Sequence, residues 1–125
     1  MKILVVDDET DVRFLFEQRF RKEIRNHELD FDFAYSGEDA LKYLNLHARE
    51  AVLILSDINM PGMSGLELLK QIKLKYEKPP PIVMMITAYG DDENYKQAIQ
   101  FGADDFLTKP IDFTLLLSKL KNVKI

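Results

Sequence analysis

Apolar residues along this chain fall into short runs separated by longer stretches in which they recur every three or four positions. The runs are Ile3–Val6, Phe31–Tyr35, Val52–Leu55 and Ile82–Ile86, with a weaker fifth at Phe106–Thr108. Three of the first four are continuous and rich in β-branched residues or methionine. Continuity predicts strands buried on both faces, as in a parallel sheet covered by helices. Phe31–Tyr35 is interrupted by Asp32, a partial alternation that suits an edge strand. Between the runs the period changes to that of a helix. Thr10 or Asp11 precedes Val12, Leu15, Phe16 and Phe20; Ser36 precedes Ala40, Leu41 and Leu44; Ser64 precedes Leu66, Leu69 and Ile72. Asp91 or Asp92 starts a helix with Tyr95, Ala98 and Ile99 that Gly102 stops, and Asp112 starts the last, with Leu116, Leu117 and Leu120. Strand and helix thus alternate five times, which predicts an α/β fold with right-handed crossovers and a parallel sheet.

Composition narrows the class. The chain has 125 residues, which suits one domain, and no break in composition divides it. Zero cysteines remove disulfides, thiolate metal sites and cysteine nucleophiles together. Seventeen basic against 21 acidic side chains leave a net charge of −4, so direct nucleic-acid binding and adsorption to anionic membranes are not expected. No apolar run approaches the ~20 residues that span a bilayer, and the N-terminal run is too short for a signal-peptide core, so a cytoplasmic protein is expected. Pro79-Pro80-Pro81 reads as a stiff loop between a helix and a strand.

Topology then collects the chemistry. All strands of a parallel sheet point their carboxyl ends to one edge, where ligands bind. Asp7 and Asp8 follow the first run, Ser56 and Asp57 the third, Thr87 the fourth, and Lys109 and Pro110 the fifth. Three carboxylates, the Thr87 hydroxyl and an ammonium therefore converge. Three adjacent carboxylates all stay ionised only when a cation joins them, and an all-oxygen donor set favours a hard divalent ion such as Mg²⁺. The first strand–helix turn, Asp7-Asp8-Glu9-Thr10-Asp11, has no glycine and no bare cradle for phosphate, so phosphate is expected to arrive through the metal. Asp57, ending the most apolar strand, is placed to act as a nucleophile on phosphorus, with Lys109 and Thr87 serving phosphoryl oxygens. His27 and His47 lie away from the strand ends and read as surface or packing residues.

These residues carry a resemblance. Leu4-Val5-Val6-Asp7-Asp8-Glu9, the run from Leu55 to Gly65 around Asp57, Ile86-Thr87-Ala88, and Gly102 through Phe106 to Lys109-Pro110 resemble the receiver domain of two-component response regulators. The likeness covers Ile3 to about Leu120, and residues 1–125 read as one receiver domain. It implies a flavodoxin-like, doubly wound sheet of five parallel strands in the order 2-1-3-4-5 within a three-layer sandwich. It implies Asp57 as phosphoacceptor, and Asp8, Asp57 and the backbone carbonyl of Asn59 as Mg²⁺ ligands, with Asp7 acting through water. Thr87, Ala88 and Lys109 would bind phosphate, Pro110 would follow a cis bond, and Thr87 with Phe106 would form the switch pair. Phe106 stands where the family often has tyrosine, and a phenolic hydrogen bond is unavailable to it. Asn59 and Tyr89 would tune hydrolysis of the phosphoryl group.

The implied partners are a sensor histidine kinase or a histidine phosphotransfer protein, met by the first helix. Phe14, with Gln18, lies opposite the Val12–Phe16–Phe20 stripe and is a candidate contact. Output is expected from the fourth helix, fifth strand and fifth helix, including Lys96, Gln97, Phe101 and Asp105, through a homodimer or an effector domain. Leu115–Leu117 is a further candidate contact. External turnover is not expected, so the chain reads as a switch and not an enzyme. Two alternatives stand beside it. A Mg²⁺-dependent phosphohydrolase would need a second acid to protonate the leaving group, where this chain has Asn59. A receiver fold that has lost phosphorylation is disfavoured by the full set of Asp7, Asp8, Asp57, Thr87 and Lys109.

Overall fold

In the computed structural model, which describes residues 1–47, 53–76, 81–88 and 90–123, five strands form one parallel sheet. They are β1 (Lys2–Val6), β2 (Asp30–Ala34), β3 (Leu53–Asp57), β4 (Ile82–Thr87) and β5 (Asp105–Thr108), ordered β2-β1-β3-β4-β5. The expected doubly wound topology is therefore present, with Phe31 and Phe33 on the edge strand. Val52, Pro79, Pro80 and Tyr89 lie outside the described residues. The third strand runs farther than its apolar run, since Ser56 and Asp57 still pair with β4.

Alternation along the strands divides the core in two. Ile3, Val5, Leu53, Leu55, Met84 and Ile86 face one layer, with Val12, Phe16, Leu116 and Leu120 from helices α1 (Asp11–Arg19) and α6 (Phe113–Lys121) and Phe20 just past the end of α1. Leu4, Val6, Ile54, Val83 and Met85 face the other. There they meet Ala40 and Leu44 of α3 (Gly37–Leu46), Leu69 and Ile72 of α4 (Gly65–Lys75) and Ala98 of α5 (Asp92–Gln100). This is the three-layer sandwich. Each central strand residue is buried on whichever face it points to, which is why those runs are continuous in sequence.

Ser36, Ser64, Asp91 and Asp112 cap their helices by accepting from the backbone N–H three residues on. Thr10 does not, because its own backbone is already helical and its side chain makes no cap bond. Two further differences from the sequence expectation concern helices. The first breaks at Phe20 (φ −107°), and a short sixth helix follows, α2 (Arg21–Arg25), ended by His27 at φ 61°. Leu15, expected in the buried stripe, is 47% exposed, because residues 12, 16 and 20 form the contact line and Leu15 lies one position off it. Tyr95 and Ile99 are likewise exposed, leaving Ala98 as the buried residue of α5. His27 is exposed, and the His47 ring stacks on Tyr43 at 4.5 Å, in keeping with surface and packing roles.

Candidate functional site at the carboxyl edge of the sheet

The ends of β1, β3, β4 and β5 bring the expected residues together. Asp7 and Asp57 are buried and Asp8 is exposed. One carboxylate oxygen from each lies within 4.8 Å of the others. The Glu9 backbone N–H donates to Asp7 Oδ1 at 2.9 Å. Lys109 comes from the loop after β5, and its Nζ donates to Asp57 Oδ2 at 2.6 Å. The loop is tied down where the Lys109 backbone N–H donates to the Thr87 carbonyl at 2.9 Å, and the Lys109–Pro110 bond is cis as expected.

Electrostatics fit this crowding. Burial pushes the Asp7 carboxyl above its ordinary value; the Glu9 N–H opposes that, and the neighbouring Asp57 charge adds to it. Burial works against the charge of Lys109, but its hydrogen bond to Asp57 and the surrounding acids outweigh this and hold its value up. Three acids against one ammonium leave two negative charges uncompensated. An all-oxygen cluster with that deficit fits a hard divalent cation.

Thr87 is buried, and its hydroxyl donates to the Leu107 carbonyl at a long 3.5 Å. Ala88, next along, is exposed at the same edge. Phe106 is partly buried, and its ring tilts against Tyr95 at 4.4 Å. Thr87 and Phe106 sit on neighbouring strands, two register positions apart, since Met85 pairs with Phe106 and Thr87 with Thr108. Asn59 is exposed in the loop after β3. Phe14 is 67% exposed on α1, with Gln18 also exposed one turn on. On the α1 side of the site an apolar groove opens from Asp7 and Lys109 between Val12, Leu15, Ile111 and Phe113.

Two residues were named in the sequence reading without being given a role at the site. Gly65 opens α4, and a Cβ there would sit 2.0 Å from the Asp57 carbonyl oxygen. Its backbone N–H donates to the Ile58 carbonyl at 2.7 Å. The available signal was a glycine in the first turn of a helix, where it costs stability unless a close approach requires it. The other is Ser56, a hydroxyl inside an otherwise apolar strand that is 1% exposed.

Comparison with known proteins bears on the family and the fold. The family described as response regulator receiver domain matches residues 3–121. Response regulator RppA of Synechocystis is 36% identical over 121 residues, covering 97% of this chain and 49% of RppA, so the chain spans about half the length of that relative. Among solved structures, a response regulator receiver protein from Pseudomonas putida superposes with a TM-score of 0.84 at 25% identity, covering 98% of this chain and 96% of the other. The receiver domain of NtrX from Brucella abortus is 32% identical with a TM-score of 0.77, covering 95% and 94%. The chemotaxis protein CheY4 of Vibrio cholerae is 26% identical with a TM-score of 0.81, covering 98% of each chain.

Proposed function

The chain belongs to the response regulator receiver-domain family of two-component signalling, and from that premise we propose that it takes a phosphoryl group from a phosphohistidine donor onto Asp57 and converts it into a change of surface. The observation that carries the proposal is the single cluster formed by the Asp7, Asp8 and Asp57 carboxylates with Lys109 at 2.6 Å from Asp57.

The chemistry follows from the residues. An Asp57 carboxylate oxygen attacks phosphorus. A P–O bond forms as the donor's P–N bond breaks, and the electron pair leaves with the imidazole nitrogen. Asp8, Asp57 and the Asn59 carbonyl, with Asp7 acting through water, would hold Mg²⁺, which would supply positive charge for the phosphoryl oxygens. Lys109, already beside Asp57, is placed to follow one of those oxygens. The Thr87 hydroxyl, with only a long bond to Leu107, is free to turn toward another, and the Ala88 N–H lies at the same edge. Water attack on the same phosphorus breaks its bond to Asp57 and releases inorganic phosphate, a step whose rate Asn59 and Tyr89 tune. The protein modifies itself and turns over no external substrate.

Movement of Thr87 vacates space on the side of Phe106. In this reading the Phe106 ring leaves Tyr95 and turns inward, and the face formed by α5, β5 and α6 changes. That face carries Lys96, Gln97, Phe101 and Asp105 and takes a second copy or an effector domain. The donor is a sensor histidine kinase or a histidine phosphotransfer protein, docking over Phe14 and Gln18 of α1. No described helix is long and apolar enough to cross a membrane, and the proposal places the exchange in the cytoplasm.

The test is intact mass after incubation with acetyl phosphate, with and without Mg²⁺, beside Asp57→Asn. The expected result is a gain of one phosphoryl group that needs both the ion and Asp57. A gain that survives Asp57→Asn, or a protein that binds Mg²⁺ but gains nothing, overturns the proposal.

A further inference from the structure

Among the buried polar groups at the site, the Ser56 hydroxyl has no part in the chemistry above. It lies between Val6 of β1 and Met85 of β4 in the sheet register, on the face covered by α3 and α4. At 1% exposure in an apolar layer, a hydroxyl costs stability unless it is hydrogen-bonded. Its partner is the carbonyl of the next residue: Ser56 Oγ donates to Asp57 O at 2.9 Å.

That bond falls on one end of a peptide plane whose other end is also held. The Ile58 N–H, in the same plane, donates to the Ile86 carbonyl at 3.3 Å. The face of the Asp57 carbonyl is closed by Gly65, where a Cβ would come within 2.0 Å of the oxygen. The next carbonyl, of Ile58, accepts from the Gly65 N–H at 2.7 Å. Two consecutive peptide units between Asp57 and Asn59 are therefore fixed by named contacts, and Ser56 supplies the one that comes from a side chain.

We propose that Ser56 is a positioning residue: its buried hydroxyl fixes the Asp57 peptide, and through it the spacing between the Asp57 carboxylate and the Asn59 carbonyl on which divalent-cation binding depends. A peptide free to tilt would spread these two oxygens over several orientations, and a small cation with strict octahedral demands loses affinity to such spread. The inference rests on the receiver reading above for its chemistry, but its primary readout does not require phosphorylation.

The test compares wild type, Ser56→Ala and Ser56→Thr by calorimetric Mg²⁺ titration, by the rate of acetyl phosphate labelling at Mg²⁺ near the wild-type dissociation constant, and by thermal unfolding. Losing one buried hydrogen bond at a positioning residue is expected to raise the Mg²⁺ dissociation constant of Ser56→Ala by about three- to tenfold. The labelling rate falls in parallel, while Tm moves little because alanine fits the same space. Ser56→Thr keeps the hydroxyl and a strand-compatible side chain, and recovers both readouts. Ser56→Ala that binds Mg²⁺ as wild type does overturns the inference, whatever its Tm, and so does a folded Ser56→Thr that is as impaired as the alanine. If threonine prevents folding, the alanine comparison alone decides. A wild type that binds Mg²⁺ yet takes no phosphoryl group overturns the receiver reading instead, and the titration still tests Ser56.

Discussion

Lys109 and Asp57 stand 52 positions apart in the chain and meet at 2.6 Å, Nζ to Oδ2. The Asp57 side chain is 4% exposed and that of Lys109 41%. The pair is thus a buried acid answered by a cation that reaches in from solvent. Such an ion pair contributes little to stability through Lys109 itself, because water screens the ammonium. Its value lies in preorganised charge. Lys109→Met keeps the length and apolar stem and removes the ammonium. Labelling by acetyl phosphate at saturating Mg²⁺ is expected to slow by roughly tenfold or more, with the fold kept. Mass spectrometry against time checks this, and an unchanged rate refutes a role in the transfer.

Gly65 allows the chain to reverse after Asp57. A methyl group there would overlap the Asp57 carbonyl oxygen, and that atom belongs to backbone, which has no room to yield. Gly65→Ala is expected to destabilise the protein by about 1–3 kcal/mol or more, since overpacking of this kind forces backbone to move. Thermal unfolding reads the cost. A Tm equal to wild type would show that the close approach is not a constraint.

The lower end of the sheet gives a pH prediction. Asp32 on β2 accepts from Lys2 at 3.0 Å and from the Tyr43 hydroxyl. Burial pushes its carboxyl up, but those two donors pull it further down, and the net position is below the ordinary carboxylate value. A carboxyl lowered in the folded state contributes stability that is fully present above its unfolded value. That contribution is lost as pH falls through about 4 and below, because protonation then favours the unfolded chain. Urea midpoints should therefore drop more between neutral pH and pH ~3.5 for wild type than for Asp32→Asn. Equal drops in the two proteins would remove Asp32 from the account.

Phe14 makes a separate prediction about recognition. It is exposed on α1 and has no part in the phosphoryl-transfer chemistry. Phe14→Asp is expected to slow transfer from a phosphohistidine protein by about tenfold, as for an interfacial aromatic anchor. Labelling by acetyl phosphate should not change, because a small donor needs no docking face. Equal slowing of both would mean that the substitution damages the site and not the contact.

Strand positions were legible in the sequence because burial on both faces leaves no alternation, and continuous runs such as Ile3–Val6 and Ile82–Ile86 cannot be amphipathic helices of that length. The residues of the site were legible for a related reason. Parallel topology sends every strand end to one edge, so Asp7, Asp8, Asp57, Thr87 and Lys109 are gathered by connectivity alone. What periodicity misjudged lay on helices. Leu15, Tyr95 and Ile99 fit a helical stripe yet remain exposed, since a stripe says which side of a helix is apolar and not how much of that side the neighbouring layer covers. The break at Phe20 was equally hidden, because no glycine or proline marks it.

The sequence by itself determined the class of fold, the edge at which chemistry collects and the residue types that meet there, all of which depend on local pattern and chain order. Only the tertiary structure decided the distances and the backbone contacts. That Lys109 reaches Asp57, that Asp7 is buried while Asp8 is not, and that Ser56 and Gly65 clamp the Asp57–Asn59 backbone are matters of a few ångströms. They are set by how two helical layers pack on the sheet, and such packing is a sum over contacts distant in sequence that no local pattern encodes.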